Sequence, residues 1–320
     1  MSSDLTPYQP AELAAPLDQA RAYAEQGTAK NTRAALVRAW SHFSTWCEAR
    51  ALTCLPAEPA TVAAYVAALA SSGDYKVATI EQRLWAISKR HQGAHLLNPT
   101  KTAEIHEVMK GIRRALGAAQ EQKAPIVTEV LRVMLGTLDT SRAGLRDRAL
   151  LLVGFAGAFR RSELVSLTVA DLAFKPQGLV ITLRRSKTDQ EGEGTQRAIP
   201  YGLSPATCPV RALKAWLDAS ELVSGALWRP IDRHGNIGAA ALTSHAVARL
   251  IKRCAAAAGL NPGDFSGHSL RAGLATAAAA AGVSERQIMA QTGHKSERMV
   301  RRYIRQGTQF KDNAAGAVGL

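Results

Sequence analysis

Cysteine is scarce, acidic residues are outnumbered, and no apolar run is long. The four cysteines, Cys47, Cys54, Cys208 and Cys254, show no C-x-x-C spacing. That excludes a disulfide framework and a sequence-evident zinc site, and makes a reducing cytoplasm the expected compartment. The longest apolar run, residues 149–159, is too short for a helix that crosses a bilayer. The first residues include Asp4 and Glu12 and show no basic-then-apolar secretory pattern. A Gly-rich phosphate loop with lysine is missing, and so is an acidic cluster suited to two-metal nuclease chemistry. No repeat of solenoid length is present. The expectation is therefore no cofactor and no metal.

What is there is length, apolar content and positive charge. With 320 residues the chain exceeds one ordinary domain and suits two. At 47% hydrophobic and 21% charged residues it can bury a sizeable core, which excludes general disorder. Lys and Arg number 40 against 26 Asp and Glu, a net charge of +14. Such a field expects a polyanionic partner, and with no membrane segment the expectation is nucleic acid. The charge is uneven: residues 1–125 carry 14 basic and 11 acidic side chains, residues 126–320 carry 26 and 15. The site is to be sought in the second part.

The apolar periodicity reads as helices over most of the chain. Pro7, Pro10 and Pro16 make the start a loose arm. A helix over 32–50, with Thr32 as its cap, carries Leu36, Trp40, Phe43 and Trp46. Pro56 and Pro59 break the chain, and helices follow over 61–70, 79–90 and 102–119. The polar stretch 120–125, ending in Pro125, reads as a linker. Beyond it come helices over 145–158 and 160–167. Two strands, 179–183 and 197–200, flank a polar turn and predict a hairpin. Helices resume over 208–219, over 245–258 with Gly259 as stop, and from Ser269. Ser284 and Gln287 form a capping box; that helix stops at Gly293, and Ser296 caps a last helix through Tyr303.

Each chemically interesting residue has an ordinary reading when taken alone. Arg160 and Glu163 share a helix face, where a surface ion pair is the common case. Arg160, however, ends the apolar run 149–159, and a buried guanidinium wants a carboxylate or a phosphate. His268 and Arg271 sit side by side at a helix start, which also offers free N–H groups to an anion. Lys187 lies in a basic turn, where a solvated loop is usual. Tyr303 follows His294 by nine residues and reads equally well as an inward-packing aromatic of a helix-turn-helix over 284–305.

In order, Arg160, Lys187, His268-x-x-Arg271, His294 and Tyr303 resemble the tyrosine recombinase (phage integrase) family, which carries Arg…Lys…His-x-x-Arg…His/Trp…Tyr. Phe159-Arg160-Arg161-Ser162-Glu163-Leu164 is similar to its first arginine box, Gly267-His268-Ser269-Leu270-Arg271 to its second, and Ser186-Lys187-Thr188 to its hairpin lysine. Leu55-Pro56-Ala57-Glu58-Pro59, Thr79-Ile80-Glu81-Gln82 and 108–114 most resemble its Cre-like members. His294 departs from those members, which carry tryptophan there, so the resemblance supports the reaction and not their target sequence.

The resemblance implies two domains: an all-α, SAM-like core-binding bundle, and a mainly α catalytic domain with a small antiparallel β-sheet. Their bounds are an arm over 1–18, the bundle over 19–119, the linker over 120–125 and the catalytic domain over 126–320 with a tail from 306. It implies a site-specific recombinase that cuts and rejoins double-stranded DNA through a 3′-phosphotyrosine, exchanging strands between two specific sites. Tyr303 is then the nucleophile, His268 its base or hydrogen-bond partner, and Lys187 the general acid. Arg160, Arg271 and His294 stabilise the phosphorane, with Glu163 in support. Arg33, Lys89 and Arg90 are expected to touch DNA from the first domain. The chain is expected to be a free monomer and a tetramer on two DNA sites, in the cytoplasm with the nucleoid and with no membrane. Two other readings stay open: a helix-turn-helix regulator without catalysis, and a strand transferase of the type IB topoisomerase or telomere-resolvase kind. The small apolar tail, Ala314 to Leu320, is expected to dock into a neighbouring subunit or to fray, because Gly316 and Gly319 weaken a helix there.

Overall fold

The computed structural model describes residues 29–117, 122–184, 194–294 and 296–307, with scattered positions between 13 and 27. Most of the expected arm, Lys187 and the residues from 308 onward lie outside the described residues. The chain divides into two compact units, 1–121 and 122–320.

In the first unit, α1 (Lys30–Glu48) packs on α3 (Val77–Gly93), and α2 (Pro59–Ser71) packs on α4 (Ala103–Leu116). Phe43, Cys47, Val62, Tyr65, Val66, Ile80, Ile87, Ile105 and Met109 fill the space between them. Tyr65 takes Phe43 and Trp46 edge-on, ring centroids 4.9 and 5.3 Å away, an arrangement the ring quadrupoles favour. His91 is fully buried and fully satisfied: Nδ1–H donates to Ile87 O, and Nε2 accepts from the Ala57 amide, both at 2.9 Å. It is a core histidine. Thr32 is not a cap; α1 begins two residues earlier, behind Ala29, which makes no side-chain cap bond. The apolar stripe outweighs the local capping preference here.

The second unit is built on α6 (Arg142–Ala156), capped by Ser141 and buried along most of its length. Around it stand α5 (Thr128–Gly136), α7 (Arg161–Ser166), α8 (Pro209–Ser220) and α9 (Ser244–Ala257). Leu150, Val153, Phe159, Trp216, Trp228 and Ile251 lie in its core. The sheet has three antiparallel strands in the order β1 (Leu172–Lys175), β2 (Gly178–Leu183), β3 (Thr195–Pro200). Leu179 pairs with Ile199 and with Phe174, which sets the register. The expected hairpin is β2–β3. Strand β1 is an addition: its four residues run along an exposed edge and carry no apolar alternation to announce it.

The chain ends its described part in three helices: α10 (Ser269–Ala280), α11 (Glu285–Thr292) and α12 (Glu297–Gly307). Ala272, Ala275, Ala279, Ile288, Val300 and Tyr303 pack together between them. Small alanines on α10 let α12 approach closely. Ser284 and Gln287 form the expected capping box, and Gly293 ends α11 in the left-handed region, φ 65°. Among the described residues, no helix is long and apolar enough to cross a membrane.

Candidate active site

The site forms where buried α6 ends. Ala158 follows that end at φ 49°, a left-handed conformation that costs energy for a residue with a side chain. The turn swings Phe159 back into the core and sets Arg160 at the N-cap of α7. Glu163, three residues on, is 5% exposed and serves twice. Its Oε2 accepts from the Arg160 amide at 2.9 Å, and its Oε1 accepts from Arg160 Nη1 at 2.5 Å. One carboxylate thus satisfies a free helix amide and orients the guanidinium.

Arg271 projects from the first turn of α10 and is 1% exposed. Its Nη1 donates to Ala158 O at 2.8 Å, across 113 residues of sequence. Its Nε and Nη2 are buried and meet no acceptor among the described residues. Burial, then the positive charge of Arg160, pulls its pKa down to about 10; Glu163 counters them. Arg271 stays protonated at neutral pH. A buried cation with two idle donors is costly unless an anion joins it.

Tyr303 lies on the inner face of α12, 7% exposed. Its hydroxyl stands 2.9 Å from His268 Nε2. Burial raises the phenol's pKa, and the charges of Arg271 and Arg302 oppose the rise. His268 caps α10 at the edge of the site. Crowding around its ring, then Arg271 and Arg160, lowers its pKa below the ordinary value. The imidazole is therefore neutral at pH 7 and free to take a proton. His294 follows Gly293, with its ring centroid 5.9 Å from that of Tyr303. Burial, Arg271, Arg160 and His268 push its pKa down to about 4.

The fold thus brings together Arg160, Glu163, His268, Arg271, His294 and Tyr303, which the sequence separates by more than a hundred residues. Arg184, just beyond the end of β2, is anchored by donating from Nε to Asp171 Oδ1 at 2.7 Å. Arg33, Lys89 and Arg90 are exposed on the first unit. Arg90 lies over the Trp40 ring at 5.7 Å. Three residues of the site's surroundings escaped the sequence reading. Gln291 donates from Nε2 to Ala156 O at 2.7 Å and to Ala198 O at 3.2 Å, tying α11 to α6 and β3. Arg197 of β3 lies against Gly293, so closely that a Cβ there would meet its Nη2 at 2.1 Å. Thr292 touches His294. Nothing in the local pattern marks them, because each acts on a segment distant in sequence or across a turn. Among the described residues, no group of three or more His, Cys, Asp or Glu side chains is placed to hold a metal ion.

Residues 126–309 match the phage integrase family. An integrase/recombinase xerD homolog of Selenomonas ruminantium is 45% identical over 91% of this chain and 86% of that protein. The chain belongs to the phage integrase family. It is a site-specific tyrosine recombinase, an enzyme that cleaves and rejoins DNA. The recombinase Cre of Escherichia phage P1 is 25% identical over 88% of this chain and 85% of that protein. Two solved structures share the recombinase fold. Lambda integrase, as a dimer bound to a core site, has a TM-score of 0.60 at 18% identity, covering 93% of this chain and 96% of that one. XerH on its difH substrate, after cleavage, has a TM-score of 0.57 at 19% identity, covering 82% and 71%. Family membership sets aside the reading of a regulator without catalysis. The burial of Tyr303 that such a reading required is nevertheless present, with the hydroxyl held against His268.

Proposed function

We propose that this recombinase cuts duplex DNA by attack of the Tyr303 oxygen on a backbone phosphorus. The Tyr303 proton passes to neutral His268 Nε2, the phosphorus–O5′ bond breaks, and Lys187 protonates the departing 5′ oxygen. The products are a 3′-phosphotyrosine and a free 5′-hydroxyl. The ester linkage is conserved, so a second 5′-hydroxyl reverses the step on another strand without ATP or water. Arg160 and Arg271 fork onto the non-bridging oxygens, where the transition state gathers charge, and His294 adds a further contact.

One observation carries this reading: the Tyr303 hydroxyl is 2.9 Å from a neutral imidazole, beside Arg271 with two idle buried donors. A phosphate oxygen is the acceptor that those donors lack. The partner is double-stranded DNA carrying specific sites, and two sites assemble four copies of the chain. The first unit supplies further DNA contacts through Arg33, Lys89 and Arg90, beside a basic groove lined by Arg38, His42, Gln82 and Arg83. Work on DNA places the protein in the cytoplasm with the nucleoid.

The test uses a pool of nicked duplexes with randomised inverted-repeat arms, scored for covalent protein–DNA bands on a denaturing gel. Wild type forms the adduct. Tyr303→Phe retains the wild-type gel shift and forms none, since only the nucleophilic oxygen is lost; an adduct in this variant overturns the assignment. Lys187→Ala cuts poorly at a normal 5′ oxygen and recovers on a 5′-bridging phosphorothiolate, whose sulfur leaves without a proton. Failure of that rescue removes Lys187 from the role of acid.

A further inference from the structure

Thr292 is fully buried at the last turn of α11, two residues before His294. Its Oγ1 makes two contacts of 2.7 Å, one to Ile288 O and one to His294 Nδ1. A hydroxyl has a single proton, and a carbonyl oxygen only accepts. The proton is therefore spent on Ile288 O. The contact with His294 must run the other way, with Nδ1–H donating to Oγ1. The hydroxyl is locked in that sense because Ile288 O lies on its own helix, four residues back.

We propose that Thr292 is a positioning residue that holds His294 as its Nδ1–H tautomer, with a bare Nε2 facing the site in the free enzyme. The idea rests on His294 being part of the catalytic set. Its consequence is chemical. A bare Nε2 cannot donate to phosphate; it must first take a proton from solvent, and the ring that then donates is a cation. The groups around His294 keep it neutral until then. They are Arg271 and His268 of α10, Arg160 with its partner Glu163 at α7, Tyr303 of α12, and Arg197 of β3 against Gly293. In the free enzyme burial of the ring, with the positive charge of Arg271 and Arg160, keeps it neutral at pH 7. A bound phosphodiester adds a negative charge among these cations, which draws the proton onto Nε2. The full positive charge of the site is then assembled only when DNA is present.

Gly293 makes the arrangement possible. Its left-handed turn brings the ring of residue 294 back over residue 292, and a Cβ there would have to displace the Arg197 guanidinium. A valine at 292 has the shape of threonine but nothing to accept from Nδ1. The ring then places its proton on Nε2 instead, where it faces the site as a neutral donor.

The measurement is nitrogen NMR of the full-length protein labelled at histidine nitrogens, with His294 assigned by its loss in His294→Gln. Free wild type at neutral pH is expected to show a protonated Nδ1 and a bare Nε2. A protonated Nε2 in wild type overturns the proposal, and this reading needs no altered threonine. Thr292→Val is expected to move the proton to Nε2 and to slow adduct formation on the selected nicked duplex about tenfold, the loss of roughly one hydrogen bond's worth of orientation. Thr292→Ser keeps the hydroxyl and is expected to restore both. Thr292→Val with the wild-type tautomer and rate overturns the role of Thr292. Absence of any adduct from wild type would instead sink the strand-cleavage reading, while the tautomer measurement on free protein still decides this one.

Discussion

A lysine at position 271 would keep the charge and lose the geometry. The Arg271 guanidinium reaches Ala158 O with one nitrogen and holds Nε and Nη2 idle for an anion. An ammonium is a point charge on a flexible stem and cannot hold one fixed donor while offering two others in a plane. Arg271→Lys should therefore cut adduct formation by roughly 100-fold or more, the scale seen when one preorganised donor is lost. DNA affinity on gels should change far less. His268 makes a second prediction at this scale. Its pKa is held below the ordinary value by burial and by Arg271 and Arg160. The base form therefore predominates at pH 7. With enzyme limiting, the second-order rate of adduct formation should fall on acidification with a midpoint below the ordinary imidazole value of about 6.5, reporting the free enzyme's base. His268→Gln should abolish that acid limb and lower the plateau. A limb that survives the substitution would assign it to another group.

Helix α10 carries both His268 and Arg271, so the site is only as well placed as that helix. Gly273 lies against the backbone of Ile126; a Cβ there would meet Ile126 O at 1.9 Å. The same segment is tied to the helix, the Ile126 amide donating to Ser269 O at 2.9 Å. Alanine at an exposed helix position gains about 1 kcal/mol over glycine. At 273 that gain is outweighed, because overpacking against backbone costs about 1–3 kcal/mol. Gly273→Ala should lower the urea midpoint of the second unit and the cleavage rate together. Gly111, exposed within α4 and with nothing within 4 Å of its Cβ position, is the control. Gly111→Ala should raise the midpoint of the first unit. Equal effects at both positions would mean that contact with Ile126 does not matter.

For the molecule as a whole, the cost of the site appears as sensitivity to acid. His294 titrates near about 6.5 in an unfolded chain and at about 4 in the folded one; His268 is displaced in the same direction. Between those values the unfolded chain binds protons that the native state refuses. The stability is fully present above the unfolded pKa and is lost as pH falls toward the folded one. Melting curves taken from neutral pH to about 4.5 should show the second unit losing stability more steeply than His294→Gln does. An unchanged slope in the variant would show that His294 bears no such strain. Positive charge is likewise concentrated in this part: residues 126–320 carry 26 basic against 15 acidic side chains. The repulsion stored there is what a polyanion relieves.

The sequence by itself determined the helical character of both units, the capping box at Ser284, the stop at Gly293 and the chemical identities and order of Arg160, Glu163, His268, Arg271, His294 and Tyr303. Those features are local, or lie in linear order, and periodicity, propensity and residue type carry them. It did not reveal β1, an exposed edge of four residues held in place by its neighbour β2 rather than by its own pattern. It placed the start of α1 at a good capping residue, where packing extended the helix instead. Only the tertiary structure decided what stands next to the reacting groups. Gln291 reaches Ala156 across 135 residues, and Arg271 reaches Ala158 across 113. Thr292 meets His294 because one left-handed glycine folds the chain back on itself. Such contacts depend on where whole elements come to rest, and that is set by the burial of surfaces far from the site, which no local window of sequence records.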